Sequence, residues 1–152
     1  MSTVVVTRAI DAPVEAVWRV ATDVAGRAGW LTSVRRADLR TPGPFRAGTT
    51  WAETRTIAGG DPVTEEFEVL EAVEAERFVV ISPGIGAEYR MTYTFAPIRN
   101  GRHRGGTLVT VIQDGTPTAP AGRFLAWIFG GLAAETAEGA LRQDLDDLAA
   151  AA

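Results

Sequence analysis

The chain has 152 residues, 46% of them apolar and 22% charged, with a net charge of −4. That is the composition of ordinary globular protein with one substantial core. Its 15 cations, all arginines, are scattered along the chain rather than clustered, which argues against nucleic acid as a partner. With no cysteine and one histidine, His103, the sequence leaves no disulfide, thiolate site or cysteine nucleophile and argues against a histidine dyad or multi-histidine metal site.

In chain order, "TVVVTRAI" is rich in β-branched residues and predicts a first strand from about Thr3 to Ile10. "DAPVEAVWRVATD" follows, with Asp11 read as N-cap and Pro13 in the first turn. Val14, Val17, Trp18 and Ala21 recur at helical spacing and give that helix one apolar face. "DVAGRAGWLTSV", broken by Gly26 and Gly29, reads as a short second helix or tight loop carrying Trp30. The N-terminal stretch lacks a charged leader followed by a longer apolar run, so the expectation is no signal peptide and a cytoplasmic location.

From about Val34 to Asp114 the pattern is β: about six strands, divided by "PGPFRAG", "AGGDP", "EAER", "PGIG" and "RNGRHRGG". Short turns of this kind predict an antiparallel meander. A long helix is expected from about Pro120 to Ala149, with Ile128, Leu132, Leu141, Leu145 and Leu148 near one stripe and Arg142, Asp146 and Asp147 toward water. Its first half, "FLAWIFGGLAAE", has 11 uncharged residues before Glu135. A membrane span needs roughly 20, so this is not an integral membrane segment. Gly130 and Gly131 inside it mark either close helix–sheet packing or a kink.

Alternation along the strands assigns faces. Tyr89, Met91, Tyr93 and Phe95 share the buried side of one strand, with Val109, Val111 and Gln113 on the same side of the next. Trp51, Glu53, Arg55 and Ile57 form one set on an earlier strand, placing a carboxylate and a guanidinium among apolar residues. In "TEEFEVLEAVEAE", alternation puts Glu66 and Glu68 opposite Phe67 and Val69, on a solvated outer face.

The order of elements resembles the START/Bet v 1-like (SRPBCC) superfamily. The resemblance rests on "IDAPVEAVW" opening the first helix, Trp30 after the second, "PGPFRAGTTW", "YTFAPI", the "GGTLVT" strand and the long final helix. It covers essentially the whole chain as a single domain, 1–152. It implies an α+β helix-grip fold, with a curved antiparallel sheet of about seven strands wrapped around a long C-terminal helix and two short helices after the first strand. It also implies a cavity between sheet and helix that takes an apolar small molecule.

The residues that would line such a cavity are Trp30, Trp51, Tyr89, Met91, Tyr93, Phe124, Trp127 and Ile128, with Glu53, Arg55 and Gln113 supplying polarity. A filled core, with Glu53 and Arg55 paired or solvated, is the other reading of the same face. Arg55, four residues after Trp51, is similar to an inward arginine of single-domain polyketide aromatase/cyclases. There Arg55 would stabilise enolate charge while Tyr89 or Tyr93 relays protons; otherwise it simply pairs with Glu53 or Glu66. The leading expectation is a binder of a hydrophobic, aromatic or polycyclic small molecule, as a monomer or homodimer. The alternatives are a cofactor-free polyketide cyclase/dehydrase with no metal, and a protein-interaction module akin to chaperone co-regulators.

Overall fold

The computed structural model describes residues 2–56, 62–84, 87–117 and 132–152. Its strands are β1 (Ser2–Ile10), β2 (Val34–Leu39), β3 (Thr50–Arg55), β4 (Val63–Val73), β5 (Arg77–Gly84), β6 (Ala87–Pro97) and β7 (Thr107–Pro117). Two short helices, α1 (Val14–Ala21) and α2 (Arg27–Trp30), separate β1 from β2, and α3 (Leu132–Ala151) ends the chain. The strands form one antiparallel sheet in the order β1-β7-β6-β5-β4-β3-β2. The meander and the two helices after β1 follow the sequence reading. The expected start of the last helix, together with Phe124, Trp127, Ile128, Gly130 and Gly131, lies outside the described residues, as does Ile57.

Register fixes which side chains share a face. Tyr93 lies opposite Val111 and Phe78, and Met91 opposite Gln113 and Val80. Trp51 lies opposite Phe67 and stacks on it, with ring centroids 5.2 Å apart. Pairing shifts between Val34 and Arg36 and between Val69 and Glu71. Such irregularities bend a strand and increase its twist, which curves the sheet. The concave side takes α3, whose Leu141, Leu145 and Leu148 are buried in one core cluster with Val6, Val109 and Val111.

One end of the concave side is closed by aromatic packing. Trp18 of α1 meets Phe95, Phe78 and Phe45 edge-on at 5.2, 5.8 and 6.3 Å. Phe45 comes from the "PGPFRAG" turn, so that turn contributes to the core as well as reversing the chain. Among the described residues, no helix is long and apolar enough to cross a membrane.

Two expectations need correction. Asp11 does not cap α1: Pro13 occupies the N-cap position, and no side chain bonds there. With helical backbone starting only at Val14, Asp11 lies too far back to reach the free N–H groups, and its carboxylate sits 3.0 Å from His103 Nδ1. Asp147 does not face water. It is buried, and its Oδ2 accepts the Thr32 N–H at 2.9 Å and the Thr32 hydroxyl at 2.8 Å, tying the α2–β2 connection to α3.

Candidate functional site

β3 supplies the centre of the site. Its alternation turns Trp51, Glu53 and Arg55 onto the concave face, and Glu53 is only 1% exposed. A carboxylate this deep must be paired and hydrogen-bonded to remain ionised. Glu53 Oε2 accepts Arg27 Nε at 2.6 Å and the Trp51 indole N–H at 3.2 Å; Oε1 accepts Arg55 Nε at 3.0 Å and Arg27 Nη2 at 3.3 Å. Burial alone would push this carboxyl up, but the Arg27 and Arg55 charges prevail and hold it below its ordinary range.

Arg55 continues the chain of bonds to the last helix. Its Nη1 donates to Ser33 Oγ at 3.1 Å and Asp144 Oδ1 at 3.2 Å, and its Nη2 to Asp144 Oδ2 at 3.0 Å. Four of its five N–H groups are thereby engaged. Burial opposes the guanidinium's charge, yet Asp144 and Glu53 outweigh that and raise its pKa. Two guanidiniums and two carboxylates leave the network with no net charge. Arg27 also lies over two indoles, 5.3 Å from the Trp51 ring centroid and 5.7 Å from that of Trp30.

Arg55 therefore points inward and pairs with Glu53, whereas Glu66 stands on the outer side beside Arg40. Sequence reasoning did not find Arg27, Ser33 or Asp144. For Asp144 a signal existed: Leu141, Asp144, Leu145 and Leu148 fall at i, i+3, i+4 and i+7, so the carboxylate belongs to the apolar stripe itself. Glu65 was missed too. It lies directly opposite Glu53 and is half-buried. Burial raises its pKa, Arg55 opposes the rise and Glu53 adds to it.

Beside the network, Arg27, Trp30, Tyr93, Asp144 and Leu145 are among the residues lining a partly open cavity of about 10 Å³, room for roughly one water molecule. Among the described residues, Trp30 Nε1 is buried without a hydrogen-bond partner. Burial, and then the Asp144 charge, push the Tyr93 phenol up to about 12. Tyr89 is raised as well, by burial and then by Glu65.

Among the described residues, burial of the concave face falls along β6. Phe95 is buried, whereas Tyr93, Met91 and Tyr89 are half-buried, as is Gln113 beside Met91 on β7. The described structure thus brings Trp30, Trp51, Glu53, Arg55 and Tyr93 together around one polar network. Met91, Tyr89 and Gln113 lie farther along the same face. Phe124, Trp127 and Ile128 lie outside the described residues.

A family model described as polyketide cyclase/dehydrase and lipid transport matches residues 1–152. No curated protein matches the sequence. Among solved structures, a protein of Thermus thermophilus is 26% identical with a TM-score of 0.71, aligned over 99% of both chains. The Zhui aromatase/cyclase of Streptomyces sp. R1128 is 14% identical with a TM-score of 0.73, over 98% of this chain and 92% of its own. The di-domain aromatase/cyclase BexL of the BE-7585A biosynthetic pathway is 20% identical with a TM-score of 0.72; the alignment covers 98% of this chain and 48% of BexL. At these identities the latter two establish a shared helix-grip fold.

Proposed function

Because the chain belongs to the polyketide cyclase/dehydrase and lipid transport family, we propose that it binds a hydrophobic, polycyclic or aromatic small molecule on the concave face of its sheet. The observation that carries this reading is the gradient along β6. Large side chains turned toward the core, Tyr93, Met91 and Tyr89, stay half-buried beside a fully closed Phe95. A protein that only needed a core gains nothing by leaving them partly open, since each loses burial worth about 25 cal/mol per Å². A face of apolar rings with a few fixed polar groups suits such a ligand.

Turnover at the same face, as a cyclase or dehydrase, is the second reading. The inward course of Arg55 and the nearby Tyr89 and Tyr93 support it. With four N–H groups engaged, Arg55 would act there chiefly through its field and by holding Glu53 and Asp144 in place, and the tyrosines would contact the substrate.

The test is to fill the face. Met91→Trp should weaken binding of 2-methylnaphthalene, followed by calorimetric titration, at least tenfold while leaving the melting temperature within a few degrees. Unchanged affinity in a folded variant would place the ligand elsewhere.

A further inference from the structure

The small cavity beside the ion network is lined by a residue, Trp30, whose indole N–H meets no acceptor among the described residues. The indole nitrogen is buried, and Trp30 lines the cavity together with Asp144 and Tyr93. A buried indole N–H usually finds an acceptor, and leaving it unmet carries the full cost of taking that group out of water. Arg27 lies over the Trp30 ring and bonds Glu53, which fixes the indole's surroundings.

Asp144, which lines the same cavity, has an acceptor site to spare. An ionised carboxylate offers about four lone-pair sites. Among the described residues, Asp144 Oδ1 receives Arg55 Nη1 and, at 3.5 Å, the Ser33 hydroxyl, but Oδ2 receives only Arg55 Nη2. At about 10 Å³ the space admits one oxygen atom and little else.

Resting on the ligand-binding reading above, we infer that this cavity selects a hydroxyl group of the ligand, which accepts the Trp30 indole proton and donates to Asp144. A hydroxyl both accepts and donates, so it satisfies both protein groups at once. A ketone oxygen would meet Trp30 but turn a lone pair toward the Asp144 carboxylate. A ligand carboxylate would set like charges together in a poorly solvated space, where repulsion is strongest. The ligand class that follows is a neutral phenol or alcohol on an apolar ring system, its hydroxyl leading into the cavity and its rings lying along Tyr93 and Met91.

The test compares 2-naphthol, 2-methylnaphthalene and 2-naphthoate by calorimetric titration on the wild type and on Trp30→Phe. This variant keeps an aromatic ring and removes the N–H. The wild type should bind 2-naphthol about tenfold more tightly than 2-methylnaphthalene and should bind 2-naphthoate most weakly. In the variant the first two should fall within twofold of each other. If Trp30→Phe does not fold, the wild-type protein answers alone: 2-naphthol, and not 2-methylnaphthalene, should move the Trp30 indole ¹⁵N–¹H resonance downfield. Equal binding of the two with that resonance unmoved would overturn the hydroxyl assignment and leave the cavity to a water molecule. Binding of none of the probes would overturn the ligand-binding reading itself.

Discussion

Asp144 of α3 grips Arg55 of β3 through both carboxylate oxygens, at 3.2 and 3.0 Å, across 89 residues of sequence. This pair, continued through Glu53 to Arg27, joins the last helix, the sheet and α2 into one unit beside the proposed ligand face. Breaking a buried pair from one side leaves the other charge stranded, whereas replacing both by apolar groups costs little. Asp144→Ala should therefore cost about 3 kcal/mol in urea unfolding. The double variant Arg55→Met/Asp144→Leu should recover most of that loss.

Glu53 sets an acid limit on stability. Its folded pKa lies below its ordinary value of 4.5, so its stabilising contribution is complete above that value. It is lost as pH falls through the lower folded pKa, because protons then bind the unfolded state first. Urea midpoints measured below pH 4.5 should fall more steeply for the wild type than for Glu53→Gln, which has no proton to gain at that site. The variant will be less stable at neutral pH, where its amide faces two guanidiniums.

Much of this arrangement was legible in the sequence. Apolar positions at period two on β6 and β7, and at helical spacing on α1, fixed the faces, because burying one side of a sheet leaves no freedom in register. Glu53 and Arg55 were readable as inward for the same reason. Their partners were not. Whether an inward guanidinium meets a ligand or a carboxylate depends on an element 89 residues away, and alternation within a strand carries no information about that. Asp144 could have been found by asking why an aspartate interrupts a leucine stripe. Asp11 was misassigned because a cap is defined by where helical dihedrals begin, and the proline moved that point past it.

The tyrosines offer a spectroscopic check, since the chain has only Tyr89 and Tyr93. Both are raised from 10.0, Tyr93 to about 12. Native phenolate absorbance should therefore appear only above about pH 10, and in denaturant both groups should titrate near 10. Stability due to Tyr93 is complete below the unfolded value and fades as pH rises toward about 12. Tyr93→Phe should remove the later half of the native titration and flatten the alkaline loss of stability.

Two glycines should respond in opposite ways to alanine. A Cβ at Gly106 would sit 2.5 Å from the Ile10 carbonyl oxygen, so the β1–β7 junction would have to shift. Gly106→Ala is expected to cost more than about 1 kcal/mol in thermal unfolding. At Gly29, in α2, a Cβ meets nothing within 4 Å. Gly29→Ala should be neutral or stabilising by up to about 1 kcal/mol.

The most direct test of the central claim is native mass spectrometry of the protein purified from its own host. A chain that holds a hydrophobic ligand on its concave face should appear as a one-to-one noncovalent complex, either as isolated or after incubation with 2-naphthol, and should lose the added mass on unfolding. The bare chain alone under both conditions would contradict it.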